Sequence, residues 1–203
     1  MYEIELRGKI NDFEKTFSFF KKNAKFLEEK NRFSLIYFPK DTLNLREMED
    51  DPRDLRLRVT NKKAELIIKY GQWGVKDSRR EISIPIELSK FDDLAELLHY
   101  LGWSFGSMLA TKTYVFVYKG IEFALVKNKF VNYFEAEKVI AKKEKSEEVM
   151  AEIEELCKSL GLTVFSKEEY YKAMDKINRA PGNTFDFRKQ NFADIKKSYL
   201  EFF

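Results

Sequence analysis

Apolar and polar residues alternate from the first positions of the chain. Ile4 and Leu6 point one way and Glu3, Glu5, Arg7 and Lys9 the other, the period of a strand. From about Asp12 to Glu28 the period becomes helical. Phe13, Phe17, Phe20, Ala24 and Leu27 form one apolar stripe, and Asn11 with Glu14 resembles a capping box. Arg32 to Phe38 is a short β-rich run stopped by Pro39, and residues 40–54, acidic and containing Pro52, predict a mobile loop. Leu55, Leu57 and Val59 then alternate with Arg56, Arg58 and Thr60, and a turn at Asn61-Lys62-Lys63 leads into a strand from Ala64 to Tyr70. Arg79 to Ile86 alternates again, with Ile82, Ile84 and Ile86 against Arg79, Glu81 and Ser83.

A second helix is predicted from Ser89 to Gly102, with Leu94, Leu97, Leu98 and Leu101 on its buried side. Lys112–Lys119 and Ile121–Val126 flank Gly120 as a hairpin, and Tyr133 to Ile140 is the last long strand. Two helices follow. One runs from Ser146 to Leu160 and is closed by Gly161; the other runs from Ser166 to Asn178 and opens on a Ser166–Glu169 capping box. After Pro181-Gly182 the amphipathic stretch Asn191–Phe203 would cover one end of the sheet or pack on a second subunit, so a homodimer stays open. The expectation is a single α+β domain over residues 1–203, with antiparallel strands within about 1–140 and helices over about 146–203.

Composition narrows the class. The chain has 203 residues, and its 37 Lys and Arg against 34 Asp and Glu give a net charge of +3. That balance argues against a nucleic-acid arm and an acidic tail. One cysteine, Cys157, excludes an internal disulfide and fits a reducing, cytoplasmic setting. One histidine, His99, argues against His-ligated zinc and Ser-His-Asp catalysis. No apolar run is long enough to span a membrane.

The polar faces of the strands carry the chemistry. They bear carboxylates at Glu3, Glu5, Glu81, Glu135 and Glu137, and cations at Arg7, Lys9, Arg56, Arg58, Lys69, Arg79 and Lys112. An antiparallel sheet with one face in water would look much the same. Against that reading, acids recur as Glu-x-Glu at Glu3/Glu5 and Glu135/Glu137. Same-face carboxylates two apart repel, yet such a pair suits a hard divalent cation. Arg56-x-Arg58 likewise lets two guanidiniums grip one multiply charged anion. Faces of this kind turned inward would hold a polyphosphate with its metal.

Taken in order, Glu3-x-Glu5-x-Arg7, Leu55-Arg56-Leu57-Arg58, Ile67-Ile68-Lys69-Tyr70-Gly71, Arg79-x-Glu81, Lys112-Thr113-Tyr114 and Phe134-Glu135-Ala136-Glu137 resemble the CYTH domain of the triphosphate tunnel metalloenzymes. The resemblance covers about residues 1–140 and implies an eight-stranded antiparallel β-barrel forming a tunnel, with flanking and C-terminal helices. It implies Mg²⁺ or Mn²⁺ at Glu3, Glu5, Glu81, Glu135 and Glu137, and a triphosphate or nucleotide held by Arg56, Arg58, Lys69, Arg79 and Lys112. The implied activity is metal-dependent hydrolysis of a triphosphate. The same residues would serve an adenylate cyclase that makes cyclic AMP and pyrophosphate, or a binding module without turnover. A protein-interaction domain with solvated charged faces is the remaining class.

Two departures bear on activity. The family's opening motif is Glu-x-Glu-x-Lys, whereas the third charged position here is Arg7, with Lys9 beyond it on the same face. The resemblance implies a part for these two in orienting the nucleophile, yet arginine does not deprotonate at neutral pH. Relatives also carry an acid some ten positions before the closing Glu-x-Glu. Here Glu122 would serve only with a shifted register.

Other features read as structure. Gly106 to Thr113 lacks the second glycine of a P-loop and enters a β-rich run. His99 and Cys157 are expected to be packed, and Trp73 to lie in a loop open to a substrate or partner.

Overall fold

The computed structural model describes residues 2–48, 51, 53–71, 76–141 and 145–203, apart from the side chains of residue 2 and of residues 76–79. The described strands are β1 (Tyr2–Lys9), β2 (Lys25–Tyr37), β3 (Arg53–Thr60), β4 (Lys63–Tyr70), β5 (Lys76–Ile86), β6 (Phe105–Tyr118), β7 (Ile121–Lys127), β8 (Tyr133–Ile140), β9 (Thr163–Val164) and β10 (Thr184–Asp186). The helices are α1 (Phe13–Asn23), α2 (Phe91–Tyr100), α3 (Ser146–Ser159), α4 (Lys167–Asn178) and α5 (Phe192–Lys196). Strand neighbours run β10-β6-β2-β3-β4-β5-β1-β8-β7, and β7 also pairs with β6. The fold is therefore α+β on an antiparallel sheet, as expected. Eight strands are long, and β9 and β10 are short additions.

The chain forms two compact units, one of residues 1–30, 71–80 and 111–173, the other of residues 31–70, 81–110 and 174–203. In the first, Ile4, Leu6, Phe116, Phe123, Leu125 and Phe134 pack with Phe13 and Phe20 of α1 and with Ile153 and Cys157 of α3. Period-two alternation sends those strand residues to the core, which leaves Glu3, Glu5 and Arg7 on the opposite face. In the second, Phe33, Leu35, Leu57 and Val59 pack with Phe91 and Leu98 of α2 and with Phe185, Phe192 and Ile195. Tyr199, Phe202 and Phe203 cover this core, so the aromatic C-terminal end is packed within its own unit.

Local signals hold where the chemistry is short-range. Lys119 (φ 50°) and Gly120 (φ 77°) form a two-residue turn with both central φ positive, the geometry that matches strand twist. Ser166 and Glu169 form the predicted capping box, with the Ser166 N–H donating to Glu169 Oε2 at 2.8 Å and the Glu169 N–H to Ser166 Oγ at 3.2 Å.

Four expectations are corrected. The first helix ends at Asn23, and residues 25–28 open β2, because pairing with β6 outweighs a helical stripe that would continue through Ala24 and Leu27. Its N-cap is Asp12, whose carboxylate accepts from the Lys15 N–H, in place of Asn11. Within 40–54, residues Leu45–Met48 form a 3₁₀ turn that buries Leu45 and Met48. Helix α2 buries Phe91, Ala95 and Leu98, leaving Leu97 and Leu101 exposed, and Ile82 and Ile84 of β5 are exposed too. No helix of the described residues is long and apolar enough to cross a membrane.

Candidate functional site

The first unit holds a half-buried carboxylate cluster on three adjacent strands, with Glu5 at its buried end. Antiparallel pairing sets Glu5 opposite Glu137 and Glu137 opposite Glu122, a row across β1, β8 and β7. Arg7 stands opposite Glu135 in the next row. Directly opposed residues share a face with their Cβ atoms about 4.5–5.5 Å apart, so like charges there are unfavourable. Glu137 sits at the centre of the repulsion. Burial, then Glu3, Glu5, Glu135 and Glu122, push its carboxyl up to about 9.

Arg7 answers part of that charge. Its Nη2 lies 2.6 Å from Glu5 Oε1 and its Nε 3.3 Å from Glu135 Oε1, with side chains only 7% and 2% exposed for Arg7 and Glu5. The guanidinium also lies 5.7 Å from the ring centre of Tyr170 in α4. Gly8, the next residue, lets β1 run close against Phe134 and β9. A Cβ there would come within 2.3 Å of both the Phe134 ring and the Thr163 carbonyl oxygen. The Phe165 N–H then donates to the Arg7 carbonyl at 3.1 Å, and the Ser166 capping box starts the helix that carries Tyr170.

The donor set, all oxygen and crowded enough to raise the Glu137 carboxyl, is of the chemical kind a hard divalent cation takes. Among the described residues no three such groups are gathered tightly enough to hold an ion. The carboxylates lie within electrostatic reach of one another, but two of them are turned to Arg7.

The second unit carries Arg56, Arg58 and Lys69, each paired with an acid. On one face of β3 and β4, Asp54 stands opposite Lys69, Arg56 opposite Ile67, and Arg58 opposite Glu65. Arg56 donates to both Asp54 oxygens at 2.8 and 2.6 Å, Arg58 Nε to Glu65 at 2.9 Å, and Lys69 Nζ lies 3.0 Å from Glu81. Burial raises the Glu65 carboxyl, but hydrogen bonds from Ser83 and Arg58 more than reverse this and hold it below the usual carboxylate range. Asp54 is fully buried, and the Arg58 and Lys69 side chains are only 12% and 10% exposed. Solvated strand faces do not look like this, so the reading of the charged faces as plain solvent surface fails.

The remaining sequence candidates fall elsewhere. Lys112 is exposed, pairs with Glu29 at 2.7 Å, and shares its strand face with the core residues Phe116 and Phe123, opposite to the face of Glu122. Lys9 is exposed and lines a cavity of about 350 Å³ with Asn11, Lys15 and Thr163. Glu81 meets Lys69 in the second unit and is not among the groups acting on Glu137. The Arg79 backbone pairs with Glu3, but its side chain, like Trp73, lies outside the described residues. Glu122 is the residue that spacing alone set aside, because the β7–β8 register that carries it to Glu137 is invisible before the hairpin is placed.

His99 and Cys157 are packed, as expected. His99 Nδ1 is 2.8 Å from Ser104 Oγ, and burial pushes the Cys157 thiol up to about 12, leaving it a poor nucleophile.

Comparison with known proteins supplies the family. The CYTH domain model matches residues 1–171. No curated protein matches the chain at a significant level. Among solved structures, the PH1819 protein of Pyrococcus horikoshii is 22% identical, covers 83% of this chain and 96% of its own, and superposes with a TM-score of 0.68. A Vibrio parahaemolyticus protein described as a candidate adenylate cyclase is 15% identical, with 86% and 98% coverage and a TM-score of 0.65. The Hippeastrum protein HpAC1, described as a candidate adenylyl cyclase with a dominant triphosphatase activity, is 15% identical, with 85% and 96% coverage and a TM-score of 0.52. At these identities the structures share the fold.

Proposed function

The chain belongs to the CYTH domain family, and from that premise we propose that it hydrolyses a small-molecule triphosphate with Mg²⁺ or Mn²⁺. One observation carries this reading. The Glu5–Glu137–Glu122 row, with Glu3 and Glu135 beside it, crowds five carboxylates onto one face of three adjacent strands. Structural stability gives no reason to enclose such a group, whereas a divalent cation binding there would displace the proton and relieve the repulsion.

Under this reading Glu3, Glu5, Glu122, Glu135 and Glu137 are the residues that would hold the metal. When bound, the cation lowers the pKa of a water and neutralises charge on the phosphoryl oxygens. Arg56, Arg58 and Lys69 of the second unit are the phosphate candidates of the family pattern, and the acids beside them keep these side chains in place. Arg79 and Lys112 are further phosphate candidates from the family pattern, Lys112 the weaker for facing the core side. Water attacks the terminal phosphorus, the bond from that phosphorus to the bridging oxygen breaks, and orthophosphate leaves with the shortened polyphosphate. The proton lost by water goes to a carboxylate of the row, since Arg7 cannot accept one.

The test is release of phosphate, pyrophosphate and cyclic AMP from tripolyphosphate, ATP and thiamine triphosphate, with Mg²⁺, Mn²⁺ or EDTA. Orthophosphate release that needs metal and disappears in Glu137→Gln is expected. Cyclic AMP with pyrophosphate from ATP would replace this reading by a cyclase. Binding of tripolyphosphate without turnover would replace it by a binding module, a reading that Arg7 in place of a lysine favours.

A further inference from the structure

Arg7 does inside the carboxylate cluster what a cation from solution would do. Its guanidinium bridges two acids on neighbouring strands, Glu5 at 2.6 Å and Glu135 at 3.3 Å. The planar fork suits that bridging, and a lysine ammonium on its flexible stem would hold the two acids less firmly. The guanidinium is also held from behind, since the ring centre of the buried Tyr170 lies 5.7 Å away. Tyr170 is fixed in turn by packing on Phe165 and Tyr171 and by the Ser166–Glu169 capping box that opens its helix. These are connected features of one unit, built around one side chain.

We propose that Arg7, clamped by Tyr170, is a resident cation that competes with the divalent metal for Glu5 and Glu135 and so sets how readily the site loads. The inference rests on the metal reading of this cluster. A guanidinium carries one positive charge and the metal two, so Arg7 keeps the empty site folded while leaving part of its negative charge for the incoming ion. Loading then requires the guanidinium to turn away from at least one acid, and Tyr170 resists that movement.

The test is direct Mn²⁺ binding, by calorimetry and by loss of the free-ion electron spin resonance signal, for wild type, Arg7→Lys, Arg7→Met, Tyr170→Leu and Glu137→Gln. Removing a nearby positive charge should tighten Mn²⁺ binding roughly tenfold or more in Arg7→Met, because charges at such distances interact strongly in a buried site. Arg7→Lys should fall between wild type and Arg7→Met, and Tyr170→Leu should tighten binding a few-fold with all acids intact. Melting temperature in EDTA and in Mn²⁺ guards against misfolding. Arg7→Met should melt below wild type in EDTA and gain more from Mn²⁺. Mn²⁺ binding by wild type with no tightening in a folded Arg7→Met or in Tyr170→Leu overturns the inference alone. No Mn²⁺ binding by wild type, Arg7→Met or Tyr170→Leu overturns it together with the metal reading.

Discussion

Glu137 shows how one residue ties stability to metal. Its folded carboxyl sits near 9, raised by burial and by four neighbouring acids, while an unfolded carboxyl titrates near 4.5. Between those values the folded chain holds a proton that the unfolded chain has released, so stability falls as pH rises across that window. In EDTA the melting temperature should therefore decline from pH 5.5 to 8.5. Mn²⁺ should flatten the decline, and Glu137→Gln should remove most of it. Calorimetry of Mn²⁺ binding near pH 7, repeated in buffers of different ionisation enthalpy, should show release of up to one proton per ion bound. The Glu-x-Glu motifs mark these acids in the sequence. The raised carboxyl does not show there, because it depends first on burial and then on acids that strand pairing brings across the sheet, Glu5 from β1 and Glu122 from β7.

At the scale of elements, β1 is held by features that act at contact distance. Gly8 is where β1 passes against Phe134 and the Thr163 carbonyl. Gly8→Ala should force these groups apart and cost roughly 1–3 kcal/mol by chemical denaturation. Asp12→Ala, which removes only the cap of α1, should cost about 1 kcal/mol and leave Mn²⁺ affinity unchanged. Caps and two-residue turns are legible because they depend on neighbours within four positions. The end of α1 is not, since the residues after Asn23 are taken by long-range pairing.

For the whole molecule, the anion reading makes a separable prediction. Tripolyphosphate at 100 times its dissociation constant should stabilise the protein by about 2.7 kcal/mol. Arg56→Ala should lose most of that gain, while Mn²⁺ binding to the carboxylate cluster persists. Alternation in the sequence was sufficient to divide each strand into an apolar and a charged face, because adjacent residues on a strand must point oppositely. It also marked the paired acids and arginines, and with them the family. Which face is enclosed is a different matter. Ile82 and Ile84 form the apolar side of β5 in the alternation yet lie exposed, and so do Glu81 and Ser83 on its other side, which meet Lys69 and Glu65 of β4. Lys112 reads as a phosphate ligand yet shares a face with Phe116 and Phe123. Glu122 reads as out of register yet completes the acid row. Period two states that a strand has two sides. Only pairing between residues distant in the chain sets which side is buried and which charges end up opposite one another.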